Sequence, residues 1–480
     1  MTETIFEKSR PGRETGYLPE LDVPEANGII PEEFLRKSNS LPELNEVEII
    51  RHFNELSKKN FGVDNGFYPL GSCTMKYNPK ISEELAALSG FAGVHPYAKE
   101  EDVQGSLQLM YGLQEQLKEI TGMHSITLQP AAGAHGELTG LMMVKAYFKS
   151  RKEKRNIILT PDSSHGTNPA SAAMCNFETV TIKSNEKGQT DIEDLKANLT
   201  GDAAAIMLTI PNTLGIFEEK ILEITKLAHD NGSLVYMDGA NMNALLGKAR
   251  PEDMDIDILH LNLHKTFSAP HGCGGPGCGP VAATRELEPF LPVPRIEKTG
   301  NRYFLNRNKP SSIGRIKSFY GNFQVMIKAC TYINALGTDG LKKVSKHAVL
   351  NANYLKEKLK QHFNLKYDYL CKHEFVLDDS KMPNHITTLD IAKGLLDYNF
   401  HPPTIYFPLI VEGAMMIEPT ETENKDTLDK FAHALIKIKE QAATAPKIIK
   451  NSPYKTPVKR LDEVQAARKP VLKFSPGLKN

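Results

Sequence analysis

From about residue 105 to about residue 285, short apolar runs alternate with stretches whose apolar residues recur every three or four positions. The runs Ser125 to Leu128, Asn156 to Thr160, Thr179 to Ile182, Ala204 to Ile210, Leu234 to Met237, Ile256 to Leu261 and Pro280 to Ala283 read as strands. Leu138 to Phe148 and Ile221 to His229 keep helical spacing, as do Leu107, Met110, Leu113 and Leu117 ahead of the first run. This alternation predicts an α/β large domain, with a mostly parallel sheet covered by helices on both faces. Ligands in such sheets gather beyond the carboxyl ends of the strands, so the residues that close each run are the candidate site.

The pattern then changes. A long helical stretch from about Ile316 to His362 precedes strand patterns at His373 to Leu377, Thr404 to Pro408 and Ala414 to Glu418, with helices at Ile391 to Leu396 and Leu428 to Gln441. These predict a smaller C-terminal α/β domain. Expected limits are an N-terminal arm over 1–75, the large domain over 76–330, the small domain over 331–445 and a basic tail over 446–480. The arm is rich in proline and charge, holds one amphipathic helix at Val47 to Leu56, and is expected to wrap another surface in an oligomer. The tail sets nine lysines and arginines against Asp462 and Glu463, which suits either solvated surface or docking of an acidic partner.

Composition narrows the function. The 58 lysines and arginines balance 58 aspartates and glutamates, so no overall basic field draws nucleic acid or anionic lipid. No apolar stretch of about 18 residues spans a membrane and the start lacks a signal-peptide core, so a cytoplasmic protein is expected. The six cysteines form no CxxC pair, and Cys273 and Cys278 with His271 read as packing in a glycine-rich turn rather than as zinc ligands; no metal is expected.

The chemistry sits at the run ends. Asp238-Gly239-Ala240 closes one and Asn262-Leu263-His264-Lys265 the next. A lysine amine forms a Schiff base with an aldehyde and a carboxylate keeps a pyridine nitrogen protonated, so the pair predicts pyridoxal 5'-phosphate rather than a surface lysine and a strand cap. The small side chains of Ala132, Gly133 and Ala134 open a helix whose free N–H groups suit a phosphate, and Ala240 lets a planar ring lie close. His165 is expected to stack on that ring, and His264 to hold the phosphate or the imine region. Asn212 and Thr213 suit the ring hydroxyl or the substrate, or else simple turn chemistry. Gly272 to Gly277 matches GxGxxG but comes late and contains proline, so it reads as a hairpin near the site.

Longer motifs carry a resemblance. Gly66-Phe67-Tyr68-Pro69-Leu70-Gly71-Ser72-Cys73-Thr74-Met75-Lys76, His165-Gly166-Thr167-Asn168-Pro169-Ala170-Ser171, Asn262 to Phe267, Met416-Ile417-Glu418-Pro419-Thr420-Glu421 and Leu461-Asp462-Glu463-Val464 resemble glycine dehydrogenase (decarboxylating), the P-protein of the glycine cleavage system. A chain of this length that carries the lysine is similar to subunit 2, the β subunit of the two-subunit form. Ala131 and His135 depart from the asparagine and glutamine of the family pattern.

The resemblance implies a fold type I pyridoxal phosphate enzyme in which Lys265 makes the Schiff base, Asp238 meets the pyridine nitrogen, His165 stacks and Ala132 to His135 holds the phosphate. It implies decarboxylation of glycine, with the aminomethyl group passed to the lipoyl arm of the H-protein, and an α subunit as partner in an α2β2 heterotetramer. Thr74 and Lys76 are candidates for the glycine carboxylate, or for packing at a subunit contact. Competing readings are another fold type I enzyme, an aminotransferase or cysteine desulfurase-like protein, and a non-catalytic scaffold subunit.

Overall fold

Ala203 to Thr209 reads AAAIMLT, and every residue of it is buried, as expected of a strand covered on both faces. The computed structural model describes residues 3–14, 19–24, 28–36, 41–270 and 277–472. It places this strand in a seven-stranded sheet: β1 (Ser125–Thr127), β2 (Ile157–Pro161), β3 (Glu178–Ile182), β4 (Ala203–Thr209), β5 (Leu234–Gly239), β6 (Ile258–Leu261) and β7 (Val281–Ala283), in the order β1-β7-β6-β5-β4-β2-β3. Strands β2 to β6 are parallel and β7 runs antiparallel to both neighbours.

Side chains alternate between two cores. Ile206, Leu208, Val235, Met237, Leu259 and Leu261 enter one, while Ala205, Met207, Tyr236 and Ile258 enter the other with Leu141, Val144 and Phe148 of the helix Gly133–Ser150. Parallel register sets Asp238 level with Thr209 of β4 and His260 of β6, so all three reach the carboxyl rim together.

A second sheet is antiparallel and small: β10 (Phe375–Leu377), β11 (Thr404–Ile405) and β12 (Met415–Ile417), in the order β10-β12-β11. Helices Thr388–Asp397 and Lys425–Thr444 pack on it through Ile391, Leu395, Phe431, Leu435 and Ile438. The long helical stretch spans Phe323–Leu359 and breaks at Gly337, whose φ of 59° and ψ of −174° are non-helical. Its first half supplies Met326 and Ala329 to the large core, and its second half supplies Ala352, Leu355 and Leu359 to the small one. A hairpin, β8 (Arg295–Thr299) with β9 (Arg302–Asn306), was not expected, because its charged residues hide the alternation.

Contacts divide the chain into residues 1–65 with 453–480, and residues 66–452. In the first unit the helix Glu46–Ser57 is closed at its start by a capping box between Asn45 and Glu48. Residues 66–75, expected in the arm, go with the second unit because Leu70 pairs with Ile417 and Gly71 N–H donates to the Met416 carbonyl. Lys76 anchors the same segment: its ammonium donates to the Thr266 carbonyl at 2.6 Å, to the Tyr332 hydroxyl at 3.0 Å and to Glu421 Oε1 at 2.6 Å. Burial opposes that charge, yet Glu421 and Tyr332 hold the ammonium above the usual lysine value. Among the described residues no helix is long and apolar enough to cross a membrane.

Two outcomes are expected. Lys76→Met leaves Glu421 buried without its cation and should lower the unfolding free energy by about 3–5 kcal/mol in urea titration; an unchanged midpoint would count against the ion pair as an anchor. At Gly140 a Cβ would lie 2.4 Å from Tyr236 Cε2, so Gly140→Leu should force the helix off the sheet and cost of the order of 3 kcal/mol in the same measurement.

Candidate active site

Five connections leave the carboxyl ends of the large sheet and surround one cavity of about 160 Å³. The link from β1 supplies Gly133 and Ala134, that from β2 His165 and Thr167, that from β4 Thr213, that from β5 Ala240 and Asn241, and that from β6 Asn262, His264 and Lys265. Asp238 lies within the wall, 3% exposed.

Asp238 is held from several directions. Its Oδ1 accepts the Ala240 N–H at 3.0 Å and stands 3.2 Å from His260 Nε2, while Oδ2 accepts the Asn168 amide at 3.2 Å. Burial pushes its pKa up, but His260, the Lys265 charge and these hydrogen bonds outweigh burial and hold the carboxyl below its usual value. His260 in turn is fixed by the Tyr236 hydroxyl at 2.8 Å from Nδ1. The result is a buried, ionised carboxylate on the wall of the cavity that Lys265 also lines.

His165 is positioned through its neighbours. Its Nδ1 lies 2.8 Å from the Thr167 hydroxyl and 3.2 Å from the Thr167 N–H, which together fix the orientation of the ring. Thr167 donates its hydroxyl to Glu137 Oε1 at 2.7 Å, Ser171 donates to Glu137 Oε2 at 3.1 Å, and Phe407 meets the imidazole edge-on at 5.4 Å between centroids.

The helix Gly133–Ser150 begins at Ala132, which bears no side-chain cap, so its first N–H groups point along the helix axis into the site. Ala132 itself does not line the cavity; its carbonyl accepts the Gly136 N–H. His264 Nδ1 accepts the Cys278 N–H at 3.3 Å. Two buried oxygens in the wall, Thr209 Oγ1 and Asn241 Oδ1, have no hydrogen-bond partner among the described residues. An amine, a buried carboxylate, a flat imidazole, a helix N-terminus and unfilled polar atoms around one cavity match the aldehyde, pyridine nitrogen, ring and phosphate of pyridoxal phosphate.

Besides Ala132, three further expected site residues lie off the cavity. Asn212 lies off the cavity: its amide donates to the Gly188 carbonyl at 2.7 Å and its Oδ1 accepts the Leu214 and Ile216 N–H groups, which is turn chemistry. Thr74 gives its hydroxyl to Glu418 Oε1 at 2.7 Å, and the Lys76 ammonium is saturated, so neither lines the cavity. From the same segment it is Ser72 that reaches it. Thr213 does line it, with its hydroxyl donated to the Ser163 carbonyl at 2.5 Å. Glu137, Thr167, Thr209, Asn241, His260 and Asn262 were not foreseen as site residues, although Thr209 and His260 share the register level of Asp238 and carried that signal. The hairpin over Gly272 to Gly277, with His271 and Cys273, lies outside the described residues except for Gly277.

Residues 344–457 match the family model of the glycine dehydrogenase C-terminal domain, and residues 139–366 match that of aminotransferase class-V. The chain is 58% identical over 476 residues to the probable glycine dehydrogenase (decarboxylating) subunit 2 of Caldanaerobacter subterraneus subsp. tengcongensis, covering 98% of each. It is likewise 58% identical to the protein of the same name from Kosmotoga olearia, over 98% of this chain and 99% of that one. Among solved structures, a glycine decarboxylase (P-protein) of the glycine cleavage system in inhibitor-bound form shares the fold, with a TM-score of 0.72 at 21% identity over 85% of this chain and 93% of the other. With that identity along nearly its whole length, the chain belongs to the family of glycine dehydrogenase (decarboxylating) subunit 2.

Proposed function

We propose that this chain decarboxylates glycine with pyridoxal 5'-phosphate and passes the aminomethyl group to the lipoyl arm of the H-protein in the glycine cleavage system. The observation that carries the reading is Lys265 and the ionised, buried Asp238 on the wall of one cavity, at the mouth of which a helix begins. The names of the relatives supply the substrate.

When bound, the cofactor supplies an aldehyde for amines and a ring that takes up the electron pair released as the carboxylate leaves. The chain's own groups do the rest. Lys265 would hold the aldehyde through its amine. Asp238, kept ionised by His260, holds a proton on the ring nitrogen. The N–H groups of Gly133 and Ala134 bind phosphate at the helix start, with the dipole favouring its charge. His165, oriented by Thr167, presents its flat face to the ring, and Phe407 beside it keeps water from that side. Ser72 is the candidate to meet the glycine carboxylate, because the Thr213 hydroxyl is already donated to the Ser163 carbonyl.

The relatives' name, subunit 2, supports assembly with a subunit 1 partner, and we read the complex as an α2β2 heterotetramer in the cytoplasm. The basic tail, of which Lys447, Lys450, Lys455, Lys459, Arg460, Arg468 and Lys469 are described, suits an acidic face on the lipoyl carrier protein.

The complex incubated with glycine, labelled bicarbonate and lipoylated carrier should exchange label into the glycine carboxyl. Lys265→Ala should lose the yellow chromophore and borohydride labelling and cut exchange by roughly a thousandfold or more. Transamination without exchange would instead make the chain an aminotransferase, and exchange undiminished in Lys265→Ala would leave it a scaffold.

A further inference from the structure

Behind the wall that Ser72 forms, three titratable side chains take no part in the chemistry described above. His373, Glu374 and Glu418 are fully buried, and their side-chain atoms approach within 4.8 Å of one another. Among the described residues neither acid has a lysine or arginine within ion-pair distance; the imidazole of His373, with Nε2 3.3 Å from Glu374 Oε1, is the one basic side chain at that distance. Buried acids without such partners are costly: burial pushes the Glu418 carboxyl up to about 7, and Glu374 Oε1 accepts no hydrogen bond among the described residues, while the other three oxygens are spent on something else.

They are spent on the backbone of residues 72–74. Ser72 N–H donates to Glu374 Oε2 at 2.7 Å. Thr74 N–H donates to Glu418 Oε2 at 2.9 Å, its hydroxyl to Glu418 Oε1 at 2.7 Å, and the Asn243 amide to that same oxygen at 2.9 Å. The two residues so held have φ of 66° and 50°, a left-handed conformation that side-chain-bearing residues rarely adopt. Strain of this kind persists where surrounding bonds over-determine it. The acids are themselves neighbours in the small sheet: Glu374 precedes β10, Glu418 follows β12, and Phe375 pairs with Ile417. The strand ends of the small sheet therefore grip the segment that carries Ser72 into the cavity.

We propose that Glu374 and Glu418 are positioning residues that clamp Ser72–Thr74 in its strained form, and so determine how tightly glycine is held in the cavity. The proposal rests on the function proposed above for the substrate. The clamp itself does not, because it is a property of the free chain.

Two readouts on the full chain and its complex test it. Hydrogen exchange followed by fragmentation mass spectrometry should show the Ser72 and Thr74 amides exchanging about 100-fold faster in Glu418→Gln, with amides of β10 and β12 unchanged. Glutamine puts an NH2 where Glu418 accepts a donor, whereas Glu418→Asp keeps the carboxylate and should recover most of the protection. In bicarbonate exchange, Glu418→Gln should raise the KM for glycine roughly tenfold while kcat stays within about threefold, with rescue by Glu418→Asp. Unchanged amide exchange at residues 72–74, loss of protection spread across the whole small sheet, or an unaltered KM would overturn the proposal. If Glu418→Gln does not fold, Thr74→Val removes one bond only, and the same outcomes decide. A wild-type complex with no bicarbonate exchange would refute the function while the amide measurement still judges the clamp.

Discussion

A carboxylate carried out of water needs several kcal/mol of compensation, and the architecture of the large sheet supplies it to Asp238 from elements far apart in sequence. The ring of His260 comes from the adjacent strand, the amide of Asn168 from the helix after β2, and the N–H of Ala240 from the strand's own continuation. Each depends on the parallel register that sets Asp238 beside His260, because a slip of one residue would turn the imidazole to the opposite face. Tyr236 extends the dependence one layer deeper: its hydroxyl fixes His260, and its ring lies against the helix at Gly140 that also opens onto the phosphate end of the cavity. Charge, register and helix position are one constraint.

The large sheet was legible because its signal is local. Strands β1 to β7 announce themselves as apolar runs, and a candidate residue at or just past a strand end, such as His165, Asp238 or Lys265, inherits its place from the strand. The failures are equally physical. Asn212 follows a strand too, but a short polar side chain beside a turn finds backbone partners before it finds a ligand. Lys76 and Thr74 stand in the same motif as Ser72, and nothing in the residue types tells which of the three faces the cavity; buried Glu421 and Glu418, some 345 positions away, decide it. Glu137 looked like an ordinary helical position until tertiary structure set Thr167 and Ser171 against it.

The polar groups around the cavity thus fall into two kinds. Those of the large sheet, Asp238, His260 and Lys265, are arranged about charge, with carboxylate, imidazole and amine within electrostatic reach of one another. Those from residues 72–76 are arranged about backbone geometry, held by acids and by the Lys76 ammonium rather than offered to a ligand.

The helix from Phe323 to Leu359 donates residues to both cores on either side of its bend at Gly337. A chain cut at that bend would part Leu341 and Val344 from the large core they pack into, so the two sheets are not interchangeable modules that recombination can shuffle. Any descendant of this architecture must inherit them together, or evolve a new helix to close each exposed face.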